Sequence, residues 1–345
     1  MFPPRSRASE DAAVRSTDSD ALLSRVSAAR LGYFDDPYCL EFLTPSQRRS
    51  TERERRPPLI NIGTHARTWG VDHLVEQFFA ANSASERGGV QVLSLGAGTD
   101  TRFWRMRKRR RGEAGAGRDE LQEWPCRKWL EIDFAEATGT KARTIASKPA
   151  LSSQLGGDIK IEQGGLGLSS PLYAVLPGDL RDVQGGLAST ILSHLDPTLP
   201  TLVLLECVLV YLAPEKTDEV LSFFSSTFKR GVAVSYDPFG LDDSFGEVMK
   251  RNLAMRGLSL PGSRSTGTLE ALTKRLETNG FHGRASSLSI RQIRDSSIPR
   301  DELDRVGKIE QIDEVEELNL VLEHYAITWG HVNASEPAVL DLASS

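Results

Sequence analysis

Residues 90–102, VQVLSLGAGTDTR, read as a short buried strand that breaks into a glycine loop and then a helix. No other segment constrains the chain as much, because strand, glycine turn and helix in succession form the nucleotide-binding turn of open α/β sheets. Val90, Val92, Leu93 and Leu95 supply the apolar run, and Gly96 and Gly98 let backbone approach a ligand. Thr99 or Asp100 can cap the helix that follows. The third glycine of the full dinucleotide fingerprint is missing, and a lone GxG also marks a plain turn, so the rest of the chain has to decide between the two.

Downstream, strands and helices alternate. The apolar patterns predict strands at 128–134, 172–176, 201–207, 232–236 and 325–329, with a weaker one at 281–288. Helices are expected at 134–146, at 214–228 behind the helix-starting Pro214, and at 268–279 before a closing Gly280. An unbroken run such as LVLL at 202–205 implies burial on both faces, which makes the fold class α/β, a doubly wound Rossmann-like sheet. Segments 107–125 and 148–171 have the composition of surface loops, and the basic run 107–111 reads as solvated. Ahead of the glycine loop, residues 1–19 read as a disordered tail, 20–29 as a helix, 48–58 (RRSTERERRPP) as a charged connector and 65–79 as a helix with an apolar stripe.

Composition excludes several function classes. With 345 residues, 26% charged residues and a formal net charge of −5, the chain lacks the strongly basic balance of a nucleic-acid binder. Its longest apolar run, 201–214, is interrupted by Glu206 and is too short to span a bilayer, and the N-terminus has no apolar leader. Cys39, Cys126 and Cys207 are far apart and show no metal-ligand spacing, so no metal is expected. Reduced thiols fit a cytoplasmic protein, with the nucleus as a second location, and Cys207 reads as a small core residue.

Three acids fall at strand ends, where open α/β sheets take their ligands. Asp133 closes the second strand and can accept both ribose hydroxyls of a nucleoside. The 37 residues from Gly96 to Asp133 exceed the usual ~20, and the 107–125 segment accounts for most of the excess. Asp179 follows the third strand, as a ligand residue or a helix cap. Glu206 ends the apolar fourth strand, where burial is costly unless it meets a donor on a ligand or an internal cation. A row of acids repels a diphosphate. A zwitterionic nucleoside, S-adenosylmethionine, fits better than NAD.

Over about residues 20–331 the chain resembles the leucine carboxyl methyltransferase family. The likeness is carried by GYFDDPY (32–38), PLINIGTHART (58–68), LSLGAGTDTRFWR (93–105), EIDF (131–134), GDLRD (178–182), ECVLVY (206–211) and DSFGEVMKRNL (243–253). The resemblance implies a class I S-adenosylmethionine-dependent methyltransferase fold over 83–345, a helical cover over 20–82, and a substrate-side insertion after the fifth strand at about 239–265. It implies that Asp133 holds the nucleoside, that Asp179 and Leu180 lie beside the adenine, that Gly96 and Gly98 admit the methionyl part, and that Glu206 faces it. Arg67 stands at the family's arginine before the first strand and Arg25 where the family has a lysine; both would bind carboxylates. The other reading of each is a basic helix residue facing water. Tyr211 is placed at the substrate carboxylate or in the core. Ile62 stands where the family has a second basic residue, which leaves the charge balance near the entrance open.

The implied activity is methyl transfer to the C-terminal leucine carboxylate of the type 2A protein phosphatase catalytic subunit, by a monomer with no nucleic-acid or membrane partner. A carboxylate with a pKa near 3.5 is already ionised, so no general base is expected, with Arg67 and Tyr211 as the catalytic pair. The alternatives are a small-molecule or tRNA-modifying carboxyl methyltransferase, or a non-catalytic phosphatase-binding module. The tRNA-modifying relatives continue into kelch-type repeats, which this chain lacks.

Overall fold

The structure is a computed structural model and describes residues 7–53, 55–82, 89–114, 124–333 and 340–342. Nine strands form one sheet: β1 (Val90–Leu95), β2 (Cys126–Asp133), β3 (Lys160–Glu162), β4 (Gly167–Ser169), β5 (Tyr173–Pro177), β6 (Thr201–Glu206), β7 (Gly231–Pro238), β8 (Gly283–Ser289) and β9 (Tyr325–His331). Their order is β3-β4-β5-β2-β1-β6-β7-β9-β8. The central run β5-β2-β1-β6-β7 is parallel, and β9 enters antiparallel between β7 and β8. This is the doubly wound α/β sheet expected from the sequence. The order reverses at β1, whose neighbours are β2 and β6, and a ligand crevice is expected at the carboxyl ends of these strands.

Successive strand residues point to opposite faces, so each strand feeds two cores. In β1, Val90 and Val92 join an aromatic-rich layer with Phe78, Phe79, Trp104, Trp129 and Trp329. Leu93 and Leu95 join the opposite layer with Ile132, Leu205, Phe224 and Phe281. The second layer is roofed in part by the Pro214–Thr227 helix, whose Val220, Leu221 and Phe224 are buried. These are the fully apolar strand patterns that the sequence showed.

Three helices precede the sheet: α1 (Arg7–Leu31), α2 (Pro45–Thr51) and α3 (Pro58–Ala81). α3 starts at a proline, which suits the first helical turn, and buries Ala66, Val71, Leu74, Val75, Phe78 and Phe79. α2 opens with a reciprocal capping box between Thr44 and Gln47, so part of the expected connector is helical. Ile62 is 4% exposed inside the aromatic-rich core; the position is an apolar contact and takes no part in the charge balance of the entrance.

Two sequence readings are corrected here. The tail expected over 1–19 is helical from Arg7 onward. Its first half buries no residue, so no apolar stripe announced it; it is held by distant charges, Arg7 with Asp179, Asp11 with Arg181 and Arg15 with Glu136. The loops at 107–125 and 148–171 are also partly regular. α4 (Arg102–Ala114) runs through the basic stretch, where Lys108 meets Asp35, Arg109 meets Asp72, and Arg110 meets Glu76. The rest of that segment up to residue 123 lies outside the described residues. Residues 148–171 contain the Pro149–Ser152 turn of helix and the β3–β4 hairpin, which extends the sheet through β4–β5 pairing.

Among the described residues no helix is long and apolar enough to cross a membrane, and no group of three or more His, Cys, Asp or Glu could hold a metal ion.

Candidate cofactor and substrate site

At the carboxyl ends of β1, β2, β6 and β7 lies a cavity of about 470 Å³, within the roughly 300–1,000 Å³ range of small-ligand sites. Its wall includes Arg25, Arg67, Gly96, Gly98, Asp133, Asp179, Leu180, Glu206 and Tyr211, so the nine residues singled out from the sequence meet in one place.

The glycine loop is built for close approach. Gly96 and Gly98 adopt φ of +65° and +47°, a region that glycine enters without strain. A Cβ on Gly96 would come within 2.5 Å of Val208, and one on Gly98 within 2.3 Å of Asp18 Oδ1. Asp133 accepts the Gly98 amide at 2.7 Å on Oδ2 and the Phe134 amide at 2.7 Å on Oδ1. A carboxylate has about four lone-pair sites, so two acceptor directions remain. Burial pushes the Asp133 pKa above the usual carboxylate range, against the opposing pull of those two amides.

Asp18 and Arg25, both on α1, fasten the same loop. Asp18 Oδ1 accepts the Thr99 amide and hydroxyl, each at 2.8 Å. Arg25 donates to the Thr99 carbonyl at 2.6 Å and hydroxyl at 2.8 Å, which ties the guanidinium to protein atoms. On the far rim Asp179 accepts from the Arg181 backbone amide at 3.0 Å, acting as the helix cap that its position allowed. It also pairs with the Arg181 and Arg7 side chains. Burial opposes its charge, but Arg181 wins and the pKa lies below the ordinary value.

Beneath the cavity is an ion-pair network that sequence spacing did not reveal. Arg102 is 3% exposed and donates from Nε to Asp72 at 2.8 Å, while its NH1 meets Asp100 at 2.6 Å and Glu206 at 2.6 Å. Asp72 also receives Arg105 through two bonds, at 2.5 and 3.0 Å. Glu206 therefore has internal cations on both oxygens: Arg102 on Oε1 and Arg67 Nε on Oε2 at 2.8 Å. Burial raises the pKa of each acid, but the arginines outweigh it, so Asp72 and Glu206 stay ionised with values below normal. The sequence did hold one clue, Asp72 on the stripe of α3 that buries Val71, Leu74, Val75, Phe78 and Phe79, where a buried charge demands a partner.

Arg67 is only half committed. Its guanidinium carbon lies 4.4 Å from the centre of the Tyr236 ring, Nε is held by Glu206, and its two terminal nitrogens meet no acceptor among the described residues. A fork held at its stem and open at its tip suits a planar carboxylate. Cys207 follows Glu206 at φ +55°; it packs half-buried against the aromatic-rich core, as the sequence suggested, and also lines the cavity. Burial pushes its thiol up to about 12, and the Tyr211 hydroxyl is likewise held protonated. Neither is a competing nucleophile at neutral pH.

The other wall is apolar: Leu59, Ile60, Ile290, Val321, Leu322 and Tyr325 come from α3, the Ile290–Ser296 and Val315–Glu323 helices, and β9. One end of the cavity thus presents a hydroxyl acceptor and open backbone, the other an apolar compartment, with Arg67 between them. The donor set fits S-adenosylmethionine: Asp133 has acceptor directions for a ribose, the glycine cradle leaves space, and Arg67 offers a cation.

A family model for leucine carboxyl methyltransferases matches residues 13–225. Leucine carboxyl methyltransferase 1 of Cryptococcus neoformans is 44% identical, the match covering 95% of this chain and 95% of that protein. The protein of the same name from Aspergillus fumigatus is 35% identical over 94% of this chain and 84% of its own length, and that of Bos taurus 31% over 95% and 92%.

Proposed function

This chain belongs to the leucine carboxyl methyltransferase family and is an S-adenosylmethionine-dependent methyltransferase; from that premise we propose that it esterifies the C-terminal leucine carboxylate of the type 2A protein phosphatase catalytic subunit, in the cytoplasm or nucleus. The observation that carries this reading is the half-committed Arg67, an oriented fork beside an apolar compartment.

When bound, the cofactor supplies a sulfonium-activated methyl group, transferred to a carboxylate oxygen while the sulfur keeps the bonding pair. Asp133 accepts the ribose hydroxyls, Leu180 and Asp179 flank the adenine, and the Gly96–Gly98 backbone leaves room for the methionyl part. Glu206 faces that part and fixes Arg67. Arg25 acts through Thr99, holding the loop. Arg67 orients a carboxylate and Tyr211 donates to the substrate side. The nucleophile arrives ionised, so no base is needed, and the rate comes from alignment and exclusion of water, with positioning worth up to ~7–11 kcal/mol in favourable cases.

A leucine pocket alone discriminates weakly, since one methylene is worth only ~1–3 kcal/mol, so the folded substrate has to contribute to recognition. With purified phosphatase subunit and methyl-labelled cofactor, label is expected as a base-labile ester that disappears when the terminal leucine is removed. Base-stable label, transfer to tRNA, or cofactor binding without transfer to any protein would each defeat the reading.

A further inference from the structure

Lys141 stands in the middle of a buried stripe, Thr138, Lys141, Ala142 and Ile145, of the helix Ala135–Ser147 that follows Asp133. Its side chain is 2% exposed, and its Nζ lies 5.8 Å from the centre of the Phe42 ring and 6.0 Å from that of Trp104. There Nζ pairs with Glu131, itself fully buried on β2, and Glu131 Oε2 also accepts the Tyr173 hydroxyl at 2.7 Å. All three residues lie outside the cavity wall.

Stability alone does not account for this ion pair, because replacing a buried pair by apolar groups of similar volume is often neutral or stabilising. Burial also pushes the Glu131 pKa up to about 7, even with Lys141 beside it, so the acid could sit neutral in the core without a cation. What the ammonium does that an apolar side chain could not is reach the glycine loop: Nζ donates to the Asp100 carbonyl at 2.8 Å. Asp100 lines the cavity, its amide closes a turn on the Ala97 carbonyl at 2.9 Å, and its carboxylate accepts the Arg102 amide at 3.0 Å. Three successive loop residues are thus held by different side chains: Gly98 by Asp133, Thr99 by Asp18 and Arg25, and Asp100 by Lys141.

Two of those holds come from β2 and the helix behind it. Asp133 grips an amide and Lys141 a carbonyl two residues on, so the loop cannot tilt relative to the ribose acceptor without breaking one of them. We propose that Lys141 is a positioning residue for cofactor binding: its grip on the Asp100 carbonyl fixes the glycine loop relative to Asp133, and Glu131 and Tyr173 keep the ammonium in place. The proposal rests on the reading of the loop and Asp133 as the cofactor cradle.

The test compares Lys141→Met, Glu131→Gln and the double variant with wild type as full chains, reading S-adenosylmethionine affinity by calorimetry and stability by thermal melting. Lys141→Met removes a charge-assisted bond to the loop and is expected to weaken cofactor binding about tenfold or more. Glu131→Gln leaves the lysine within reach of the carbonyl and an acceptor for Tyr173, and should keep most of the affinity. The double variant separates the roles. With both charges gone and the volumes nearly conserved, its melting temperature should return toward wild type, while its affinity should stay as weak as that of Lys141→Met. A lysine that served only the ion pair would regain both together. Amide hydrogen exchange at residues 98–100 in the cofactor-free protein should also quicken in the double variant and not in Glu131→Gln. Wild-type affinity in the double variant, or a loss in Glu131→Gln as large as in Lys141→Met, overturns the proposal. Should Lys141→Met fail to fold, the double variant decides. Failure of the cradle reading is separately visible, because Asp133→Ala would then bind the cofactor as tightly as wild type; a weakened Asp133→Ala beside an unaffected double variant defeats only the role of Lys141.

Discussion

Arg67 lies on the face of Tyr236, its guanidinium carbon 4.4 Å from the ring centre, and so is held in a plane that a flexible cation could not keep. Glu206 fixes its stem at 2.8 Å. The residue is therefore positioned by stacking and by charge together, and only the tip is left for a ligand.

Arg67→Lys tests this directly. An ammonium keeps the charge but cannot stack as a plane or present two parallel donors. Turnover is expected to fall about 100-fold, the size of loss that a misplacement near 1 Å produces. Steady-state transfer of labelled methyl, with circular dichroism to verify folding, gives the answer; a variant with wild-type turnover removes Arg67 from the orienting role.

Asp133→Ala should weaken cofactor binding by at least about tenfold, because hydrogen bonds to a charged acceptor are worth ~1.5–3 kcal/mol each. It also frees the Gly98 and Phe134 amides, loosening the glycine loop. Titration calorimetry with S-adenosylmethionine on the folded variant measures it. An unchanged dissociation constant would remove Asp133 from the ribose.

The site was legible in the sequence wherever the signal is local. A strand running into GAG, and acids at the ends of apolar strands, are patterns of a few residues whose geometry the sheet dictates. The ion network under the cavity was not legible, because Asp72, Arg102 and Glu206 are brought together by tertiary packing from α3, α4 and β6. Glu206 illustrates the boundary: its burial demanded a cation, but nothing local said that two arginines of the same chain would supply it. The first half of α1 was hidden for a related reason. Its partners Asp179, Arg181 and Glu136 are distant in sequence, and it lacks the apolar stripe that identifies a packed helix.

Asp237 provides a pH test away from the cofactor. It is 2% exposed at the end of β7, accepts the Val210 amide at 3.2 Å and pairs with Arg275 at 3.3 Å, bracing the turn that carries Tyr211. Burial outweighs these partners and raises its pKa to about 6. The folded state thus holds this proton more tightly than the unfolded chain does. Its contribution to stability is complete below about pH 4 and is lost as pH rises to about 6, on the order of 3 kcal/mol. Asp237→Asn should remove that slope, and the difference between the urea midpoints of variant and wild type across pH 4–7 isolates it. Parallel curves for the two proteins would refute the raised value.

The last prediction concerns the first half of α1. Residues 7–18 bury no side chain, so removing them costs little apolar contact: a chain starting at Ser19 should still fold cooperatively, with a melting temperature lowered only by the loss of the Asp18–Thr99 bonds and the ion pairs of Arg7, Asp11 and Arg15. Cofactor affinity should not survive as well. Asp18 is the acceptor for both the amide and hydroxyl of Thr99, and Thr99 adjoins the glycine that Asp133 holds. Losing two charge-assisted bonds at the loop releases the backbone that shapes the cavity, and a tenfold or greater loss of affinity is expected at ~1.5–3 kcal/mol each. Asp18→Ala should reproduce most of that loss, and Asp18→Asn, which retains an acceptor oxygen, should recover part of it. Asp11→Asn breaks only a partly exposed pair with Arg181, of a kind worth ~0.2–1 kcal/mol, and should change the dissociation constant by less than about fivefold. Calorimetry on the four proteins ranks them. If Asp18→Ala binds as tightly as wild type, the loop is rigid without α1 and the helix is only an outer cover.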